Sequence, residues 1–313
     1  MIATHSDVKI AASPRKGRPN LSFEFFPPKT PNGETRLWEV YGRLAGLAPD
    51  FVSITYGAGG STRERTHRVV QRLVGEARAP VAAHITCVNA SRAAVNEVLQ
   101  AYWDAGVRRL VALRGDPAGG VHAAYAPHPE GYAFALDLID GARKIGDFEI
   151  YAAAYPETHP QATSPEADLD NLKRKFDAGA SAAITQFFAD PARFLRFRDR
   201  AAAAGVTGPI LPGIMPIGNV AGYLKMSAAC GASVPAAIAK AIDGLDAEPE
   251  LRFGVAVALC ADLCRNLIAE GVDHLHFYTL NRVDLTLCVL RALGWEESQT
   301  AASPETDQSR VQS

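Results

Sequence analysis

One pattern constrains this chain more than any other. A short apolar run, a polar or Gly/Pro break and an amphipathic helical stretch recur along its 313 residues. The runs are Leu21–Phe26, Phe51–Gly57, Pro80–Cys87, Arg109–Asp116, Glu149–Pro156, Ala182–Phe188, Pro209–Pro216 and His274–Asn281. Helical periodicity fills the intervals, for example over Glu34–Leu47, Ser91–Ala105, Pro165–Ala178 and Pro191–Ala204. Strands alternating with helices imply a parallel sheet, and eight strands are the number that closes a barrel. The reading is therefore α/β, a single (β/α)8 TIM-type barrel over residues 19–294, with no linker dividing it. The stretch Ile217–Asp273 is long enough for an extra helix before the one leading into the last strand. Residues 1–18 read as a mobile polar arm and 295–313 as a disordered polar tail.

Composition narrows the class. Hydrophobic residues make up 48% and the formal net charge is −2, which fits a substantial core and gives no footprint for nucleic acid or an anionic membrane. The longest apolar run, around Phe253–Cys260, is too short to span a bilayer, and Met1–Arg18 lacks the apolar centre of a signal peptide. The five cysteines contain no C-x-x-C pair, and Cys260 and Cys264 have helical core spacing. Reduced thiols, a cytoplasmic location and no thiolate metal site are the expectation.

Within the first run, Leu21-Ser22-Phe23-Glu24-Phe25-Phe26-Pro27-Pro28-Lys29 sets an acid among aromatics and then forces a turn with two prolines. Burial among three phenylalanines would push Glu24 toward its protonated form and make it a general acid. A structural acid paired with an Arg or Lys elsewhere is the other reading.

Barrel chemistry sits at the C-terminal ends of the strands. Polar groups gather there: Thr55-Tyr56 on run two, His84 on run three and Arg114-Gly115-Asp116 on run four. Tyr155 to His159 follow run five, Gln186 lies on run six, and Tyr278 to Arg282 end run eight. A recessed Arg-Gly-Asp is not an adhesion signal; its glycine lets a ligand approach and its Arg suits phosphate or a heteroaromatic ring. Gly57-Ala58-Gly59-Gly60-Ser61-Thr62 could cradle an anion or be a plain turn, and no G-x-G-x-x-G follows a strand. After run five, Ser164 and Pro165 start a helix with Leu169, Leu172 and Phe176 as its apolar stripe. Asp168, Asn171, Arg174 and Lys175 form a second stripe, either a solvated charged face or the bed of a ribose- and phosphate-bearing ligand.

These residues together resemble the methylenetetrahydrofolate reductase family in its short bacterial form, from about Leu21 to Arg291. The markers are Ser22-Phe23-Glu24-Phe25-Phe26-Pro27-Pro28-Lys29, Thr55-Tyr56-Gly57-Ala58-Gly59-Gly60-Ser61, Leu113-Arg114-Gly115-Asp116, Ala154-Tyr155-Pro156-Glu157, Asn171-Leu172-Lys173-Arg174-Lys175, Ile184-Thr185-Gln186-Phe187-Phe188 and His276-Phe277-Tyr278-Thr279-Leu280-Asn281-Arg282.

The resemblance implies a barrel with non-covalent FAD that oxidises NADH or NADPH and reduces methylenetetrahydrofolate to methyltetrahydrofolate by ping-pong chemistry, supplying methionine synthesis. It implies Glu24 as proton donor and Asp116 beside both flavin and pterin. The flavin would be held by Tyr56, Ala58, His84, Arg114, Gly115, Asp116, Tyr132, Ala133, Tyr155, His159, Ala162, Asp168, Asn171, Arg174 and Lys175. Thr55, Gln186, Tyr278 and Arg282 would meet substrates, Thr55 and Gln186 the nicotinamide, Gln186 and Arg282 the folate. Gly222 and Met226 depart from the family pattern, which expects a folate-contacting Gln and a stacking Phe there. Family members associate into homo-oligomers. Another FAD barrel, such as a proline-dehydrogenase-like oxidase, and a non-catalytic folate- or flavin-binding subunit are the alternatives.

Overall fold

The computed structural model describes residues 18–56, 63–117, 119–120 and 123–296. The Gly57–Thr62 loop with Ala58, residues 1–17 of the arm and residues 297–313 of the tail lie outside the described residues.

Nine strands form one parallel sheet: β1 Asn20–Phe25, β2 Phe51–Ile54, β3 Val81–Thr86, β4 Arg109–Leu113, β5 Glu149–Ala154, β6 Ala182–Thr185, β7 Ile210–Leu211, β8 Gly213–Ile214 and β9 His274–Tyr278. The helices are α1 Pro31–Ala45, α2 Arg63–Glu76, α3 Arg92–Asp104, α4 Ala135–Ile145, α5 Pro165–Asp177, α6 Pro191–Ala203, α7 Val220–Cys230, α8 Ala236–Ile242, α9 Pro249–Ala269 and α10 Val283–Ala292. Several start on a side-chain cap followed by a good first-turn residue. Thr30, Ser91, Ser164 and Asp190 each accept a backbone N–H of the helix they open, three of them just before a proline.

The strand order is β7-β6-β5-β4-β3-β2-β1-β9-β8. Its two outer members are the halves of one run, broken at Pro212, whose missing N–H cannot serve a ladder. β7 pairs with β6, β8 pairs with β9, and so the covalent chain closes the barrel. Around the break, Pro212 O accepts from His276 N at 3.1 Å and Thr185 Oγ1 accepts from Gly213 N at 2.9 Å. Gly213 has to be glycine: a Cβ would stand 2.2 Å from Thr185 O and 2.5 Å from the Tyr278 ring.

The stretch before the last strand holds the expected extra helix ahead of α9, as α7 and α8 with a 3-10 turn at Leu245–Ala247. One boundary needs correction. Trp295, the first residue assigned to the tail, is buried in the barrel's main hydrophobic cluster with Arg18 over its ring at 5.7 Å. Arg18 and Trp295 thus both belong with the barrel.

Strand alternation sorts the first run onto two sides. Leu21, Phe23 and Phe25 face outward, in the continuous core between sheet and helices with Leu37, Leu44, Leu275 and Phe277. A separate inner core fills the barrel with Phe51, Ala82, Val111, Tyr151, Ile184 and Leu211. Ser22 and Glu24 share that inner side.

Candidate active site

Parallel register sets Glu24 beside Ser53 of β2 and Tyr278 of β9, and Ser22 beside His276. Inside the barrel the Glu24 carboxylate meets imidazoles: its Oε2 lies 3.3 Å from His84 Nε2 and 3.6 Å from His276 Nε2. Phe23 and Phe25 lie behind the strand and Phe26 is exposed at the rim, so the expected nest of three phenylalanines does not surround the acid. The electrostatics change accordingly. Burial pushes the Glu24 carboxyl up, but the facing His84 and His276 imidazoles outweigh it and hold it low, at about 2. The resting acid is ionised, the reverse of what an aromatic pocket would impose. His276 and His274 are pushed down by burial, His274 to about 3, and so stay neutral.

The rim is built by the end of β9. Thr279 N and Oγ1 both donate to Glu24 O, at 3.2 and 2.7 Å. Asn281 accepts from Phe26 N at 2.9 Å and donates to Phe26 O at 3.0 Å. Leu280 and Asn281 both hold positive φ, a strained pair that turns the chain back over the first strand.

Above Glu24 opens a cavity of about 410 Å³ lined by Thr55, Tyr56, His84, Tyr155, Gln186 and Tyr278 among the anticipated residues. Leu113, Ala153 and Tyr155 are shared with a second cleft of about 470 Å³. That cleft takes in Arg114, Gly115, Asp116, His159, Ala162, Asp168, Asn171, Arg174 and Lys175. Its parts are locked together. Asp168 Oδ2 accepts from His159 N at 2.9 Å, and Arg114 donates to Gln161 Oε1 at 2.6 Å while its guanidinium stacks 4.5 Å from the Tyr125 ring. Gly115 has φ +82°, and a Cβ there would meet Val88 Cγ1 at 2.5 Å. Lys175 is buried with one hydrogen-bond acceptor among the described residues, Ala153 O at 2.9 Å, and burial holds its ammonium down at about 8.

Three anticipated residues stand apart from this pair of cavities. Tyr132 donates to Asn96 Oδ1 at 2.8 Å, and Ala133 O accepts from Tyr125 at 2.6 Å, behind the cleft. Arg282 donates to Gly218 O at 2.9 Å and lines a neighbouring cavity of about 250 Å³ with Arg36 and Arg252. Asp116 lines the cleft and not the mouth, with a side chain 47% exposed and 3.8 Å from Arg114. The departures are also placed: Met226 lines the mouth, while Gly222 lies in the first turn of α7, its N–H donated to Asn219.

Two further groups, one lining the cleft and one buried beside Glu24, carry little signal in the sequence. Phe134, 53% exposed at the cleft, was hidden in an unremarkable helix start. His276 was quoted only as part of a motif, although alternation from Tyr278 would have turned it inward beside Glu24.

Comparisons with known proteins agree with this geometry. The family model for methylenetetrahydrofolate reductase matches residues 9–294. A 5,10-methylenetetrahydrofolate reductase of Pectobacterium carotovorum is 45% identical over 89% of this chain and 91% of its own. The Escherichia coli protein of the same description is 43% identical over 89% and 92%. A probable methylenetetrahydrofolate reductase (NADH) of Oryza sativa is 38% identical over 97% of this chain but only 54% of its own. Among solved structures, a Clostridium thermocellum protein described as binding two copies of 5-methyl-5,6,7,8-tetrahydrofolic acid superposes with a TM-score of 0.58 at 12% identity, over 88% and 94% of the two chains, a likeness of fold. With its own family model spanning nearly all the described residues and relatives this similar over nine-tenths of its length, the chain belongs to the methylenetetrahydrofolate reductase family.

Proposed function

We propose that the chain reduces methylenetetrahydrofolate to methyltetrahydrofolate with NADH or NADPH through a non-covalent FAD. The observation that carries this reading is the continuity of the two cavities: one presents Glu24, the other a basic bed, and Tyr155 joins them. The cleft fits a flavin nucleotide. Gly115 leaves room for backbone approach, and Lys175 has three N–H donors but one acceptor, so a phosphate would complete it. Arg174 and Asn171 lie on the same face of α5, and Asp168, bound to the His159 backbone, steadies the loop above them. When bound, FAD supplies the two-electron chemistry that links nicotinamide to folate.

The chain's own residues do the rest. A mouth of about 410 Å³ bordered by Glu24, Thr55 and Gln186 has room for a planar ring, which supports alternate occupation by nicotinamide and pterin. Thr55 and Gln186 border it on opposite strands and orient whichever ring is present. Glu24 gives a proton to the bridging nitrogen of the folate, opening its five-membered ring to a cation. Asp116 stabilises that cation weakly, because Arg114 lies 3.8 Å away and solvent screens the half-exposed carboxylate. The rice relative's description, with NADH as its reductant, supports the nicotinamide step.

The test is an anaerobic titration of the purified protein. A yellow protein bleached by NADH or NADPH and recoloured by methylenetetrahydrofolate is the expected result. Colour that neither nucleotide removes overturns the reading and leaves a binding role.

A further inference from the structure

Behind Glu24 runs a line of polar side chains that the proposed reaction leaves unexplained. Ser22 Oγ lies 2.7 Å from His276 Nδ1 and 2.8 Å from His274 Nε2. His276 and Ser22 are fully buried, and His274, 9% exposed, is the member that reaches the surface. The β1–β9 register and the period of two bring Ser22, Glu24, His274 and His276 to the barrel's inner side. His276 Nε2 is buried, has no hydrogen-bond partner among the described residues and points at Glu24 Oε2. Two imidazoles and a hydroxyl in a core are costly where apolar side chains would pack, unless they serve something.

We infer that His274, Ser22 and His276 form a proton relay that loads Glu24 from the far side of the barrel while substrate covers the mouth. The inference rests on Glu24 being the proton donor proposed above. A hydroxyl carries one hydrogen, so Ser22 donates to one ring nitrogen and accepts from the other, and the two tautomers are linked. In the first arrangement Ser22 donates to His276 Nδ1. His276 then carries its hydrogen on Nε2, facing an ionised Glu24, and His274 carries its own on Nε2, donated to Ser22. A proton arriving at His274 Nδ1 shifts every hydrogen one place. His274 Nε2 gives its proton to Ser22, Ser22 gives its own to His276 Nδ1, and His276 Nε2 passes its proton to Glu24. One proton enters, one carboxylic acid forms, and both imidazoles begin and end neutral. With the mouth open the reverse hops reset the chain, Glu24 taking a proton from water in the mouth and passing it to His276 Nε2 while His274 releases one from Nδ1.

This answers a difficulty in the resting site. With the mouth open the facing imidazoles keep Glu24 ionised, and a covering ligand adds to the burial that favours the neutral acid. At that moment solvent can no longer reach the acid from the front. The other titratable groups around the line are His84 and Tyr278 at its upper end and Arg109, Tyr151 and Glu149 at its lower end. His84, 3.3 Å from the same oxygen, is the rival proton store.

Ser22→Ala cuts the line without touching Glu24 or His84, and Ser22→Thr restores the hydroxyl. Infrared difference spectra of the full chain on adding methyltetrahydrofolate, with the carboxylic acid band assigned by its loss in Glu24→Gln, read the relay directly. Followed in time, the band is expected to rise with the folate step in the parent and Ser22→Thr and to lag tenfold or more in Ser22→Ala. The folate half-reaction should slow tenfold or more in Ser22→Ala, with the nicotinamide half-reaction unchanged. His274→Phe, which removes the entry, should repeat both effects should Ser22→Ala fail to fold. A Ser22→Ala or His274→Phe protein with the parent's band and folate rate overturns the relay and leaves His84 as the store. A parent protein that does not reduce methylenetetrahydrofolate sinks the proposed function instead.

Discussion

The two sides of the first strand make opposite demands on neighbouring residues. Outward, Leu21, Phe23 and Phe25 join a continuous apolar layer with the helices. Inward, one step along the chain, Ser22 and Glu24 meet three histidines. The outer side holds the barrel together, and the inner side keeps protonation states away from their usual values. A substitution moved by one residue should therefore change from a stability defect to a chemical one.

The largest effect is expected on the outer side. Phe23 is fully buried with its ring 6.1 Å from Phe277, and Phe23→Ala should lose about 3–5 kcal/mol in urea unfolding. A loss below about 1 kcal/mol would break the contrast. Glu24→Gln should cost less in unfolding than Phe23→Ala, up to about 3 kcal/mol at neutral pH through loss of the low-pKa carboxylate. The folate half-reaction in stopped flow should fall about 10²–10⁴-fold. Nicotinamide oxidation should survive; equal damage to both halves would remove Glu24 from its special role.

The smallest effect is acid sensitivity. His274, usually near 6.5, is held at about 3, so the unfolded chain binds more protons in that interval. Its contribution to stability is whole above pH 6.5 and is lost as pH falls toward 3, on the order of 1 kcal/mol per pH unit. Glu24, held at about 2 against 4.5, adds a second loss below pH 4.5. Urea midpoints at pH 7, 5 and 4 should decline less in His274→Phe than in the parent.

Much of this was legible beforehand. Eight runs, the cap and proline of α5 and the polar strand ends are local signals, and they point to the barrel, its mouth and the face of α5 that lines the cleft. Glu24's surroundings were misread because three phenylalanines are near in sequence, while the side a strand residue faces depends on its phase. His276 is 252 residues from Glu24, and only the β1–β9 pairing makes them neighbours. The split seventh strand was hidden for a similar reason: Pro212 was visible, but the partner of each half was not. Arg282 carries a strand-end motif yet turns to Gly218 and another cavity, because the left-handed pair Leu280–Asn281 redirects the chain just before it.

That first and last strands clasp each other has a consequence for synthesis. As the polypeptide emerges, Glu24 is made early and waits for more than two hundred further residues before His276, Thr279 and Asn281 exist. Until then no reactive acid is assembled, only a soluble side chain on an unpaired edge. Catalytic competence and completion of the ring arrive in the same event, and a prematurely ended product would be inert.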